Sequence, residues 1–230
     1  MTDPLDMIIN VYKPVGLTSY DVVRRVKRLS RIKKVGHGGT LDPFAEGVLL
    51  ILLGRATKRM SEIQTFFKSY EADLRLGAAT PTGDPTAEPD RFATIPDVTK
   101  IDWPAVATAF RGILEQTPPQ YSAKKVAGRP AYSYARKGIA VDLKPKTVEI
   151  ETLDIAVADA QTLRLNVTCS SGTYIRVLAE EIAESVGSVG HLLRLKRMRI
   201  GEYHWEDAIA CAALDETYFQ EERISRLAEA

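Results

Sequence analysis

Val35-Gly36-His37-Gly38-Gly39-Thr40-Leu41-Asp42-Pro43 sets one acidic side chain in a glycine-rich segment with no cysteine and no second carboxylate. Three glycines within four residues allow close backbone approach and positive φ. Pro43 biases Asp42 toward an extended conformation and removes a backbone donor. The spacing predicts a stiff loop. Just upstream, Arg24, Arg25, Lys27, Arg28, Arg31, Lys33 and Lys34 fall within eleven residues that contain no acid. A carboxylate in such a loop beside a cationic helix suits chemistry on a polyanion, with RNA the best fit.

Outward from this segment, Met7–Val11 reads as a strand that stops at the turn Lys13-Pro14-Val15-Gly16. Thr18 and Ser19 are helix N-cap types, Asp21 falls in the first turn, and Val22, Val23, Val26 and Leu29 form an apolar stripe. Val48–Leu53 is a buried strand, Ala56–Phe67 has helical character, and Tyr70–Leu76 alternates like a half-buried strand. Residues 77–97 are rich in proline and irregular, and 116–129 reads as an exposed loop. Helices are expected at Trp103–Phe110, Ala131–Lys137 and Tyr174–Val186, and strands at Val148–Ala158, Leu163–Cys169 and Leu195–Tyr203. Strands that are adjacent in sequence, mixed with strands separated by helices, predict an α+β fold with a central mixed, mostly antiparallel sheet flanked by helices and loops.

Bulk composition narrows the class. A chain of 230 residues with 45% hydrophobic and 27% charged residues is ordinary for a globular protein. Two cysteines make neither a disulfide framework nor a metal cluster. The longest apolar run, Gly47–Gly54, is far too short to cross a bilayer, and the N-terminus lacks the apolar stretch of a signal peptide. The expectation is a cytoplasmic protein without a membrane role. Net charge is only +1, but segments 24–34, 124–146 and 191–199 are basic, and local fields decide how a polyanion docks.

Asp42 fits a general base or a covalent nucleophile, and equally an Asx-turn residue before Pro43. His37 fits a base, a surface for a nucleobase, or a structural histidine; with no second histidine or cysteine nearby, no metal is expected. Gly36-x-Gly38-Gly39-Thr40 lacks the ending of a P-loop and does not match the dinucleotide fingerprint, so no nucleotide cofactor is expected. In Cys169-Ser170-Ser171-Gly172-Thr173-Tyr174-Ile175-Arg176, a strand end runs into a helix start. Arg176 there suits a pairing with the loop aspartate, a backbone phosphate, or solvent. Lys68 and Tyr70 share one strand face, and the tyrosine either packs in the core or stacks on a base.

Together these pieces resemble one family. Gly36-His37-Gly38-Gly39-Thr40-Leu41-Asp42-Pro43, with Ala45 and Gly47, is similar to the active-site motif of the TruB family of tRNA pseudouridine-55 synthases. Lys13-Pro14 with Gly16, Gly54-x-Ala56-Thr57-Lys58, Lys68-x-Tyr70, Pro118-Pro119-x-Tyr121-Ser122-Ala123-x-Lys125, Gly172-Thr173-Tyr174-Ile175-Arg176 and His191-Leu192-x-x-Leu195 continue the likeness in order.

The resemblance implies a pseudouridine-synthase-like catalytic domain over residues 1–205, with a thumb-like loop and helix at about 118–146. A short helical tail, 206–230, stands where many bacterial members carry a PUA domain. It implies Asp42 as the catalytic residue. His37, Tyr70, Tyr174, Arg176 and Leu195 would bind the substrate nucleotide, with Arg176 paired to Asp42 and Leu195 in the apolar wall. Lys13, Arg24, Arg25, Arg28, Lys68, Tyr121, Lys124, Lys125 and Arg129 would hold RNA. The implied partner is the T-arm stem-loop of tRNA, bound by a monomer with no obligatory protein partner. Isomerisation of uridine requires neither metal nor redox cofactor. A bare RNA-binding module and a different RNA substrate are the competing readings.

Overall fold

The computed structural model describes residues 5–228; residues 1–4 and 229–230, at the outer ends of the ranges 1–205 and 206–230, lie outside it. The first elements are β1 (Ile8–Lys13), α1 (Ser19–Ser30), β2 (Val35–His37), β3 (Glu46–Leu53), α2 (Met60–Thr65) and β4 (Lys68–Leu76). Then come β5 (Ala78–Ala79), β6 (Arg91–Phe92), α3 (Trp103–Ala109), β7 (Gly112–Gln116), β8 (Lys125–Val126), β9 (Arg129–Pro130) and α4 (Ala131–Ala135). The remainder is β10 (Lys146–Val157), β11 (Thr162–Cys169), α5 (Ile175–Ser185), β12 (Gly190–Ile200), β13 (Tyr203–His204), β14 (Ile209–Ala210) and α6 (Glu216–Ala228). The architecture is the expected α+β with mixed, mostly antiparallel pairing, arranged as two compact units.

The first unit takes the residues up to Lys68 and those from Lys196 onward. Strands β14, β1 and β3 lie side by side, and the other edge of β3 holds β2 at one end and β12 at the other. The β14–β1 and β12–β3 pairings are parallel, the rest antiparallel. Val48–Leu53 reads as an unbroken apolar run because both faces of β3 are covered. Leu49, Ile51 and Leu53 pack with Val11, Val22, Val26 and Phe219, whereas Val48, Leu50 and Leu52 pack with Ile63 and Ile200.

Helix α1 starts where expected. The Thr18 hydroxyl accepts from the Asp21 amide at 3.0 Å, and the Asp21 carboxylate accepts from the Thr18 amide at 3.0 Å. Such a box is worth about 1 kcal/mol. Val22, Val23 and Val26 are buried, and Arg24, Lys27 and Arg28 face outward. Residues 209–219 belong to this same core: β14 extends β1, and Cys211, Leu214 and Phe219 join the cluster beneath α1.

The second unit, Ser69–Leu195, orders its strands β4-β11-β10-β7, with β10 antiparallel to both neighbours. Helix α5 buries Ile175, Leu178, Ala179, Ile182 and Ala183. Strand β7 carries no clear period-two pattern, which is why the sequence does not announce it. The expected exposed loop 116–129 contains the β8–β9 hairpin, turned by Ala127 and Gly128 at φ 48° and 81°. The expected helix Ala56–Phe67 is a 3₁₀ turn over Gly54–Arg59 followed by α2 alone. The last expected long strand begins earlier, at Gly190.

Candidate active site

The glycine-rich segment opens as a strand, β2, so the loop proper starts at Gly38. Its glycines serve close packing more than unusual backbone. A Cβ on Gly38 would lie 2.6 Å from the Ile63 side chain, and only Gly39 of the three has positive φ. The loop is fastened at many points. The Leu41 amide donates to Ser19 Oγ at 2.8 Å, and that hydroxyl donates to the Leu41 carbonyl at 3.0 Å. Gly16 donates to the Pro43 carbonyl at 2.8 Å, Gly38 to Leu50 at 2.9 Å, and Ala45 to Asp42 at 3.1 Å. Asp42 itself is half-buried, neither sealed in the core nor loose on the surface.

Two buried cations lie beneath this loop. Lys13 has no exposed surface; its Nζ donates to the carbonyls of Pro14 at 2.9 Å and Leu17 at 2.7 Å. Burial chiefly, then the Arg197 cation, bring its pKa down to about 8, while the Asp42 carboxylate pulls the other way. Arg197, 1% exposed, donates to the carbonyls of Val48, Thr40 and Gly39. His37 accepts a long bond from the Gly39 amide at Nδ1, 3.4 Å. Burial first, and Arg197 second, hold the imidazole below its ordinary pKa, so it is neutral at pH 7.

Three residues expected to hold RNA are bonded within the protein itself. Lys13 is wholly enclosed, and its ammonium is bound to two carbonyls. Lys68 is 5% exposed and donates to the Phe66 carbonyl at 2.6 Å. Arg25 is half-buried and ties α1 to the carbonyls of Ala212 and Leu214. Their charge serves the fold, because an enclosed ammonium or guanidinium must find acceptors locally. Arg24 and Arg28 are exposed, Arg24 in an ion pair with Asp21 at 2.6 Å.

In the second unit, Arg176 is not a surface charge. It sits near the start of α5, 5% exposed, and donates to the carbonyls of Thr82 and Tyr121. Within this unit the carboxylate facing it is Asp84, at 3.8 Å. Asp84 also accepts from the Thr82 hydroxyl at 2.7 Å and the Thr86 amide at 3.0 Å. The irregular stretch 77–97 is thus folded around an ion pair. Tyr174 is the N-cap of α5 without a capping side chain; its amide donates to Gln116 Oε1 at 2.7 Å, and Gln116 Nε2 donates to its carbonyl at 3.2 Å. Tyr70 and Leu195 are buried, Tyr121 is half-buried, and Lys124, Lys125 and Arg129 are exposed around the β8–β9 hairpin.

Arg197, Gln116 and Asp84 escaped the reading of the sequence. Arg197 lay in the basic run 191–199 without being singled out, Gln116 stood in a segment read as loop, and Asp84 in one read as irregular. Among the described residues, no group of three or more His, Cys, Asp or Glu is placed to hold a metal ion. No helix among them is long and apolar enough to cross a membrane.

Comparison with known proteins agrees with this frame. The family model described as TruB family pseudouridylate synthase, N-terminal domain, matches residues 27–175. A Burkholderia pseudomallei protein called tRNA pseudouridine synthase B is 44% identical over 227 residues, covering 97% of this chain and 74% of that protein. Its namesake from Parabacteroides distasonis is 41% identical, covering 96% of both. A third, from Psychrobacter cryohalolentis, is 43% identical and covers 90% of this chain, which spans 59% of that relative's length. A solved structure of a Cbf5–Nop10–Gar1 complex contains a chain that superposes with a TM-score of 0.73 at 26% identity, over 97% of this chain and 57% of that one. Motifs, fold and these relatives agree that the chain belongs to the TruB family of pseudouridylate synthases.

Proposed function

We propose that this protein isomerises uridine 55 in the T-loop of tRNA to pseudouridine. The observation that carries the reading is Asp42: a half-buried carboxylate on a loop fastened to β1, α1 and β3, in a chain of this family. The reaction breaks the C1′–N1 bond and joins C1′ to C5 of the same base; C5 gives up its proton and N1 takes one, with no net redox change. Asp42 acts on the ribose end as nucleophile or general base.

The target base is stacked in its hairpin and must be extruded, at a cost of a few kcal/mol. Stacking on Tyr70 would offset about 1–3 kcal/mol of that. Tyr174 touches the base, Leu195 completes an apolar wall, and His37, neutral and at the loop's start, supports the flipped strand. Arg176, held by Asp84 and by the carbonyls of Thr82 and Tyr121, is a substrate-binding cation. Arg24, Arg28, Tyr121, Lys124, Lys125 and Arg129 hold phosphates and fix register. The protein works as a monomer in the cytoplasm on the tRNA T-arm, with no obligatory protein partner.

The test is conversion of an unmodified T-arm transcript, mapped at the target position by carbodiimide or mass spectrometry. The native protein should modify it, and Asp42→Asn should lose about 10³-fold or more in rate. An Asp42→Asn protein with native turnover would overturn the assignment.

A further inference from the structure

The glycine loop has a second fastening, on the side away from α1. We infer that Arg197 is a positioning residue for Asp42, its guanidinium stapling together the two ends of the segment that carries the carboxylate. The inference rests on the function proposed above. Nε donates to the Val48 carbonyl at 2.7 Å, while Nη1 and Nη2 donate to Thr40 at 3.1 Å and Gly39 at 3.2 Å. Residues 41–47, Asp42 among them, lie between those acceptors. One planar group with five N–H donors in a fixed fork suits three carbonyls in a way an ammonium does not.

The backbone of Arg197 is fixed as well. It pairs with Gly47 in the parallel β12–β3 contact. A Cβ on Gly47 would lie 2.2 Å from the Arg197 carbonyl oxygen, and Gly47 itself sits at φ 110°. Arg197 therefore grips the segment through main chain at one end and side chain at both. Its neighbour Lys196 turns the other way, its Nζ 3.2 Å from the centre of the Trp205 ring, as alternation along a strand requires.

Stability alone does not call for this arrangement. A buried guanidinium pays a desolvation cost that an aliphatic side chain of similar volume avoids. What the charge adds is direction, since two of the three described bonds end on the loop backbone and the third on β3 just beyond it. A nucleophile or base displaced by about 1 Å loses on the order of a hundredfold in rate. Arg197 also keeps positive charge beside His37 and Lys13, in keeping with the neutral imidazole.

The experiment compares native protein with Arg197→Lys and Arg197→Met by steady-state kinetics on the T-arm transcript and by amide hydrogen exchange without RNA. Arg197→Lys should stay folded and lose about a hundredfold in kcat, with KM within about twofold of native. Amides of Gly39 and Leu41 should exchange about tenfold faster or more, while those of β3 stay protected. Native kcat in a folded Arg197→Met protein overturns the inference, as does a loss confined to KM. Unfolding of both variants also overturns it, because Arg197 would then serve the core and not the loop. A native protein that converts no uridine would sink the proposed function instead, and the exchange comparison would still decide whether the staple exists.

Discussion

Beneath the 39–48 segment, Lys13 and Arg197 are enclosed and bonded to carbonyls; on the 118–146 arm, Lys124, Lys125 and Arg129 stand in solvent around a two-residue hairpin turn. The residue types are the same and the uses opposite. An enclosed cation shapes the backbone around it and answers to pH and packing. An exposed one shapes nothing locally and answers to salt and to a polyanion. The arm is held by its own local bonds: Gln120 reaches both backbone groups of Val141, Ala131 donates to Lys124, and Tyr132 donates to Ser122. Under the function proposed above, one region presents a carboxylate on a fastened loop and the other meets a polyanion with exposed charge.

The contrast breaks most severely at Gly47. Gly47→Ala must fit a methyl against the Arg197 carbonyl at positive φ, and should cost about 4 kcal/mol or more in urea unfolding. Gly128→Ala on the arm, where nothing lies within 4 Å of the added carbon, should cost only about 1–2 kcal/mol of backbone strain. Equal losses would erase the distinction between the two regions.

Replacing Lys124, Lys125 and Arg129 together by Gln should weaken tRNA binding roughly a hundredfold near 0.1 M salt and flatten the log–log salt slope by about 2. The turnover of bound substrate and the melting temperature should barely move. A salt slope unchanged by the triple substitution would take the arm out of phosphate recognition.

Lys13 sharpens the comparison through pH. Its folded pKa of about 8 lies below the 10.5 of a free lysine. Between those values the unfolded chain binds the extra proton, so stability contributed by this group rises with pH across the window. Below about 8 the full penalty of the enclosed charge applies. Lys13→Met should remove up to about 1.4 kcal/mol per pH unit of that slope, read from unfolding curves at pH 8 to 10. An identical slope in the variant would mean the ammonium is not enclosed as described.

Much of this was legible in the sequence, and what was not has a common cause. The Thr18–Asp21 box, the valine stripe of α1 and the Val48–Leu53 run depend on neighbours within a few positions, so local pattern reveals them. Asp42 was visible because the motif that carries it, Gly36–Pro43, is contiguous in sequence. Arg197 and Gln116 find their partners about 157 and 58 residues away, at Thr40 and Tyr174, and nothing near them in sequence announces burial. Charge reads as surface until its acceptors are known, so the enclosure of Lys13 and Lys68 and the bonds of Arg25 to Ala212 and Leu214 were not legible. The same non-locality hid Asp84 in a stretch that looked merely irregular.

The parallel seat of Ile209 and Ala210 on β1, with Cys211, Leu214 and Phe219 plugged in behind, has a practical corollary. Cutting the chain after 205 would strip a row of amides and carbonyls bare along the first strand and open an oily hollow below it. Such a fragment invites edge-to-edge stacking with its own copies, so any graft or fusion at this end should keep everything through Phe219 intact.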